Sequence, residues 1–134
     1  MRLLLVNPNT TASMTRDIEA NARAVAGANT LVEAVNPVEG PASIESDDDE
    51  HRCVPHLLAE LTTAHSRDVG RPDASIIACF GDPGLELART LVDGPVLGIA
   101  QAAMHAAALS AGDFSVVTSM SATVPRAWEL AKTY

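Results

Sequence analysis

The sequence predicts an α/β fold of the doubly wound type, in which helices flank a parallel sheet. Short apolar runs alternate with longer helix-like stretches, and a polar turn follows each apolar run, as such folds require. Only 3% of the residues are aromatic, so the core has to consist of Ala, Val, Leu and Ile, as is common in helix-covered parallel sheets. With 134 residues, the chain is long enough to bury one core of this kind.

The composition excludes several classes of function. A net charge of −8 with no basic cluster argues against nucleic acid as a partner. Two cysteines are too few for a disulfide framework, and no segment approaches the length of a membrane span. The opening apolar run is too short for the core of a signal peptide before it meets Asn7 and Pro8. We therefore expect a cytoplasmic protein without a membrane or nucleic-acid partner.

The first predicted strand, Arg2 to Val6, ends in a polar segment whose threonines can cap the next helix, Ala12 to Ala26. Ligands of α/β proteins bind at the carboxyl ends of the strands. The side-chain amides of Asn7 and Asn9 are therefore candidate contacts for an anionic or carbonyl-bearing ligand. In the alternative interpretation, these residues only cap the helix and form the turn.

A second strand is predicted at Thr30 to Val35, and a helix runs from the acidic segment Asp47–Glu50 to about Ser66. Carboxylates at the start of a helix are favoured by its dipole. We therefore interpret the acidic run as a solvated helix start and not as a metal site. In the same helix, Cys53 is interpreted as a structural residue. The three histidines His51, His56 and His65 are interpreted as helix surface.

The most informative segment is a buried strand that ends in a thiol and turns at once into a helix. Apolar and small residues lead up to Cys79, after which Asp82 can cap the next helix and Pro83 suits its first turn. A helix N-terminus beside a thiol lowers its pKa, so Cys79 is a candidate base or nucleophile. The alternative is a small buried side chain at a strand end, which is common for free cysteines.

The remaining chain repeats the same alternation. A fourth strand is predicted at Gly94 to Ile99, a small-residue helix at Gln101 to Ser110, a fifth strand at Phe114 to Val117, and a last helix from Val124. Polar loops follow three of the predicted strands, at Asn7 to Thr11, Cys79 to Asp82 and Thr118 to Ser121. If they converge, they form a small-molecule pocket with a reactive thiol and neutral hydrogen-bond donors.

Five segments, spread over almost the whole chain, resemble the aspartate/glutamate/hydantoin racemase superfamily, and within it the hydantoin and allantoin racemase branch. They are the opening Leu-Leu-Val-Asn-Pro-Asn-Thr-Thr, Gly40 to Glu45, Ala78 to Leu85, Gly98 to Ala100 and Phe114 to Thr118. Their order along the chain is the expected one, which makes the match far more specific than any single motif.

The resemblance implies a cofactor-independent racemase that acts on 5-substituted hydantoins or on allantoin. In this family two cysteines face each other across the stereocentre, one removing the α-proton and the other delivering a proton to the opposite face. Cys79 matches the first cysteine. The candidate substrate-binding residues are Asn7, Asn9, Ser43, Gly81, Asp82, Thr118 and Ser119.

Members of the family are considerably longer and have two similar α/β domains. The resemblance accordingly implies that residues 1–112 form the first domain and that residues 113–134 begin the second. The second catalytic cysteine of the family lies in a part that this sequence does not contain. We therefore expect little or no racemase activity from the 134 residues alone. An exposed strand edge at Phe114 to Val117 would favour a homo-oligomer.

Three other interpretations stay open. A decarboxylase of the same superfamily needs only one thiol, so Cys79 alone would suffice for it. A related chain could also act without catalysis, as a ligand-binding or oligomerising module. A flavodoxin-like anion binder would use the loop from Asn9 to Ser13, although no glycine-rich phosphate motif supports it.

Overall fold

The computed structural model describes residues 1–134 and contains four strands and five α-helices. The strands are β1 (Arg2–Val6), β2 (Leu31–Val35), β3 (Ala74–Ile77) and β4 (Val96–Gly98). The helices are α1 (Ala12–Val25), α2 (Asp47–His65), α3 (Leu85–Leu91), α4 (Ile99–Ser110) and α5 (Val124–Thr133). A single 3₁₀ turn, Ser121–Thr123, leads into α5. None of the helices has the length and apolar character needed to cross a membrane.

The four strands form one parallel sheet in the order β2-β1-β3-β4. The central strand β1 pairs with both neighbours, so that Leu5 lies opposite Ala34 on one side and Ile76 on the other. Helices α1, α2 and α3 make the crossovers between successive strands, as parallel pairing requires. The predicted doubly wound α/β fold is confirmed.

The main core lies between the sheet and the helices α2 and α3. Alternation along β1 points Leu4 and Val6 into this core, and Leu5 is buried on the opposite face. The other members of the core come from α2, β3, α3 with the residue after it, and β4: Leu57, Leu61, Ala64, Ile77, Leu85, Ala88, Val92 and Val96. A separate small cluster joins Ala100 and Met104 of α4 to Leu130 of α5.

The start of α2 agrees with the sequence prediction. Ser46 is the N-cap residue, and its hydroxyl oxygen accepts a hydrogen bond from the Asp49 amide at 3.2 Å. The Ser46 hydroxyl also donates to the Asp49 carboxylate at 2.7 Å. Asp47 and Asp48 remain exposed in the first turn, where they favourably meet the helix dipole.

The predicted capping role of Asp82 is wrong, because this residue caps a different helix. The N-cap of α3 is Gly84, with a φ of +67°, and α3 begins only at Leu85. The Asp82 carboxylate instead accepts hydrogen bonds from the amides of Ala100, at 3.0 Å, and Gln101, at 2.8 Å, in the first turn of α4. The turn after β3 thus ties the Cys79 loop to α4.

The predicted fifth strand does not form. Residues 111–120 contain no strand, and Phe114 and Val117 are exposed. A strand needs a hydrogen-bonded neighbour, and no strand of the described sheet pairs with this segment. The apolar run that predicted a strand therefore lies as irregular backbone between α4 and α5.

His65 is not a surface residue, in contrast to the prediction. It lies in the last turn of α2, it is buried, and its Nε2 is 2.9 Å from the hydroxyl oxygen of the fully buried Ser75 in β3. Its other ring nitrogen, Nδ1, has no partner. Burial lowers the pKa of His65, and the nearby Arg71 acts in the same direction. His51 is exposed, as predicted, and His56 is half-buried.

Replacing Gly98 with alanine should destabilise the fold. A Cβ at this position would overlap the Asp82 carboxylate, so the α4 cap would have to shift. Overpacking of this kind costs about 1 to 3 kcal/mol of unfolding free energy, which urea denaturation would measure. Gly27→Ala is the matched control, since a Cβ there has no neighbour within 4 Å. Equal stability of the two variants would contradict this account of Gly98.

The buried His65 should make stability depend on pH. Its folded-state pKa lies below the ordinary value of 6.5, so the unfolded chain binds the extra proton first. This contribution to the unfolding free energy is fully present above pH 6.5 and decreases as the pH falls toward the folded-state pKa. Melting temperatures between pH 5 and pH 8 should fall less on acidification in His65→Gln than in the parent or in His51→Gln. Parallel curves for all three proteins would exclude this role of His65.

Candidate functional site

A cavity of about 440 Å³ opens beside the Cys79 turn, where α2, α4, α5 and residues 114–118 meet. Its wall is largely apolar, and the few polar groups come from the start of α2, the Cys79 turn, residues 114–118 and the start of α5. The wall includes Glu50, Cys79, Gly81, Thr118 and Arg126. A mostly apolar cavity with a few convergent polar groups is typical of small-molecule sites.

The Cys79 turn is held at both ends by backbone hydrogen bonds. The Ala78 amide donates to the Val6 carbonyl at 2.9 Å, which extends the β1–β3 pairing to the residue before the thiol. The Asp82 amide donates to the Cys79 carbonyl at 3.0 Å and closes the turn. Asp82 has a φ of +48°, the only positive value at a non-glycine residue. This strained turn presents the partly buried Cys79 to the cavity.

The structure contradicts the predicted low pKa of Cys79. Burial raises the pKa of this thiol, and the Gly81 amide opposes the rise by donating toward the sulfur. The carboxylates of Glu50 and Asp82 raise the pKa further, whereas the Arg126 guanidinium lowers it. The prediction failed because α3 begins six residues after Cys79, so its N-terminus does not lie at the thiol.

The second cysteine does not share this environment. Cys53 is fully buried in α2, and its thiol donates to the Glu50 carbonyl at 3.2 Å. Burial, followed by the proximity of Cys79, raises the pKa of Cys53 to about 12. Cys53 is absent from the cavity wall, which agrees with its interpretation as a structural residue.

The two asparagines after β1 are engaged with each other and not with the cavity. The side-chain amide nitrogen of Asn7 donates to Asn9 Oδ1 at 2.9 Å and to the Thr15 hydroxyl oxygen at 3.0 Å. Asn9 Oδ1 also accepts from the Thr11 amide at 2.9 Å, and both asparagines are buried. In this structure they shape the turn into α1, which is the alternative interpretation of the sequence.

The other predicted site residues are divided between the cavity and the surface. Gly81 and Thr118 lie on the cavity wall with Cys79, and the Thr118 hydroxyl is 2.7 Å from that of Thr123. Ser43 and Ser119 are exposed and lie outside the cavity wall. Asp82 is buried beneath the turn, where its carboxylate accepts from α4 and also from the Tyr134 hydroxyl, at 2.9 Å.

Sequence reasoning missed an ion pair in the cavity wall. Arg126 Nη2 donates to Glu50 Oε1 at 2.8 Å and to the Gly81 carbonyl at 2.8 Å. Burial raises the pKa of Glu50, although Arg126 acts against this rise. One sequence signal could have separated Glu50 from the exposed acids beside it. It precedes the buried Cys53 and Leu57 by three and seven residues, which places all three on one face of α2.

Comparison with known proteins agrees with this fold. The family model described as Asp/Glu/Hydantoin racemase matches residues 3–134. A hydantoin racemase of Rhizobium meliloti is 45% identical over 134 residues, which are 100% of this chain and 54% of that protein. The solved allantoin racemase from Klebsiella pneumoniae covers 99% of this chain with a TM-score of 0.94 and 43% identity. The allantoin racemase from Pseudomonas fluorescens gives a TM-score of 0.90 over 99% of this chain, with 34% identity.

The chain spans about half the length of the relatives that it matches, namely 53% and 55% of the two solved structures. Within that half, the match runs through the sheet, the Cys79 turn and α5. The motifs quoted from the sequence, the parallel sheet and the family model all agree, and the chain belongs to the Asp/Glu/hydantoin racemase family.

Proposed function

We propose that Cys79 exchanges the α-proton of a 5-substituted hydantoin, of allantoin, or of a related amino-acid derivative. The single observation that carries this proposal is that Cys79 is the one thiol on the wall of the small-molecule cavity. The sequence relationship to hydantoin and allantoin racemases supports the substrate class. The acid/base groups are side chains of the protein, so the proposed reaction is independent of a cofactor.

The proposed step breaks a C–H bond next to a carbonyl and forms an S–H bond. The electron pair of the C–H bond moves into the enolate, and the negative charge develops on the carbonyl oxygen. The Gly81 amide and the Thr118 hydroxyl are the donors of the cavity that we assign to this oxygen. A donor well placed toward developing charge contributes about 3 kcal/mol to transition-state stabilisation.

The ionisation state of Cys79 determines whether it removes a proton from the substrate or delivers one. Because its pKa is raised, the thiol is predominantly protonated near neutral pH. In this state it can deliver a proton to an enolate, whereas removal of an α-proton needs the thiolate. The rate of proton removal should therefore increase with pH through the alkaline range.

Inversion of the stereocentre needs a second acid on the opposite face of the substrate. Cys53 cannot supply it from its buried position in α2, and no other cysteine is present. We therefore propose that the 134 residues by themselves exchange the proton on one face and racemise little or not at all.

Three coarser features belong to the same proposal. We place the start of a second domain at residue 113, since the chain continues after α4 as irregular backbone that does not join the sheet. We assign the protein to the cytoplasm, because both cysteines are free thiols. Exposed apolar side chains at Leu109, Val117 and Trp128 support a homo-oligomer.

One observation also favours a second candidate, decarboxylation of a disubstituted malonate. That reaction needs one protonated thiol, which is the state that burial gives Cys79. The C–C bond to the leaving CO₂ breaks, its electron pair forms the enolate, and the Cys79 S–H bond breaks as the proton moves to carbon. Release of CO₂ with formation of one enantiomer would identify this activity.

Exchange without inversion is the expected behaviour of the chain on an enantiopure 5-alkyl hydantoin or on allantoin in D₂O. Because Cys79 is the only thiol on the cavity wall, deuterium should enter the α-position with retention of configuration. Proton NMR measures the exchange, and chiral chromatography measures inversion. Cys79→Ser should lower the exchange rate about 100-fold or more, within the usual range for loss of a general acid/base.

Cys53→Ser is the matched control, because it changes the other thiol of the same chain. This variant should exchange at a rate near that of the parent. Inversion as fast as exchange would contradict the one-face proposal. Exchange that survives Cys79→Ser would contradict the assignment of Cys79.

A further inference from the structure

We propose that Arg126, paired with Glu50, is a positioning residue that fixes the Cys79 turn and balances the charge beside its thiol. The inference rests on the proposed function for its purpose, since it assigns the pair to the acid/base group of that reaction. Its geometry is independent of the substrate. Nothing in the proposed proton transfer itself requires Arg126 to touch the reacting atoms.

The contacts of Arg126 join three separate elements at one atom. Nη2 donates to the Gly81 carbonyl of the Cys79 turn and to the Glu50 carboxylate of α2, each at 2.8 Å. Arg126 itself lies in the first turn of α5. The turn, α2 and α5 are therefore held in one arrangement by a single guanidinium.

The pair is better shielded from water than the other ion pairs of the chain. The side chains of Arg126 and Glu50 are 33% and 20% exposed, whereas every other ion pair has at least one side chain that is 48% exposed or more. Arg126 Nη1 also lies 3.6 Å from Glu129, which is largely exposed. Charges that are partly buried act more strongly on a neighbouring group than charges in water.

Gly81 lets the pair lie directly against the turn. A Cβ at this position would be 3.3 Å from Glu50 Oε2, which is tighter than most such contacts. The absence of a side chain thus brings the Glu50 carboxylate next to the backbone two residues after Cys79. The Glu50 carboxylate and the Arg126 guanidinium that balances its charge therefore both lie near the Cys79 thiol.

Three charged groups lie near Cys79, namely Asp82, Glu50 and Arg126. The Asp82 carboxylate is held in place by hydrogen bonds from the α4 amides and from the Tyr134 hydroxyl. Glu50 and Arg126 act on the thiol pKa in opposite directions, the first raising it and the second lowering it. Cys53, the remaining titratable neighbour, keeps its proton because burial raises its pKa to about 12. Removing one member of the Glu50–Arg126 pair leaves the charge of the other uncompensated.

The test is the pH dependence of Cys79 alkylation by iodoacetamide, quantified by mass spectrometry of the Cys79 peptide. In Arg126→Gln the uncompensated Glu50 carboxylate should raise the thiol pKa and slow alkylation at pH 8 about tenfold, which corresponds to one pKa unit. In Glu50→Gln alkylation should be faster by a similar factor. The double variant should return close to the parent, and Arg126→Lys should fall between Arg126→Gln and the parent.

Arg52→Gln is the matched control, since the exposed Arg52 lies on the same helix as Glu50 and pairs only with Asp48 and Asp49. It should leave the alkylation profile unchanged. Thermal unfolding shows which variants are folded. If Arg126→Gln unfolds, the two single variants Glu50→Gln and Arg126→Lys still test the inference.

A purely structural role predicts the opposite sign for Arg126→Gln. Loosening of the turn would expose Cys79 to water, lower its raised pKa and speed alkylation. Faster alkylation in Arg126→Gln, or profiles identical to the parent in all variants, would overturn the inference. Alkylation requires no turnover, so a failure of deuterium exchange with shifted alkylation profiles would refute the proposed function and leave this inference standing.

Discussion

The site depends above all on the buried carboxylate of Asp82. Its two oxygens accept the first-turn amides of α4 and the hydroxyl of Tyr134, so one side chain joins the turn after β3 to two later segments. A carboxylate at a helix N-terminus satisfies amides that have no partner within the helix and also favourably meets the helix dipole. The approach is close enough that only glycine fits at position 98. Cys79 lies three residues before this anchor, and its carbonyl accepts the amide of the anchoring residue.

This anchor explains why the thiol is presented by a strained turn instead of by a helix start. The positive φ of Asp82 is stabilised by the hydrogen bonds that its side chain makes, and Gly84 provides the second left-handed residue before α3. The chain therefore spends several residues outside regular structure between β3 and α3. In that interval the thiol faces the cavity, and the Gly81 carbonyl is free to accept from Arg126.

The electrostatics of the site differ from those of a thiol activated by a helix dipole. Burial and two carboxylates keep Cys79 protonated, and Arg126 is the only cation that acts against them. Such a site holds its proton until a more positive environment or a higher pH releases it. The resulting chemistry is that of an acid at neutral pH, which suits the return of a proton to an enolate.

Sequence reasoning was reliable where the determining interactions are local. The apolar run of β1 and the acidic run that opens α2 predicted the elements that the structure contains. Prediction from the sequence failed where a residue's environment depends on segments that are far away along the chain. Asp82 caps α4, which begins 17 residues later in the chain, and Glu50 faces the interior because Arg126 approaches from α5. Phe114 to Val117 has the pattern of a strand but no strand to pair with, and His65 is buried because Ser75 of β3 lies beside it.

The most direct test of this account is hydrogen exchange at the backbone amides of Ala100 and Gln101, followed by NMR. First-turn amides of a helix ordinarily lack a partner within the helix and exchange quickly. We predict slow exchange at these two amides in the parent chain, because the buried Asp82 carboxylate binds both, and loss of that protection in Asp82→Ala. Rapid exchange in the parent, or protection that survives Asp82→Ala, would show that the Asp82 anchor does not hold the Cys79 turn against α4.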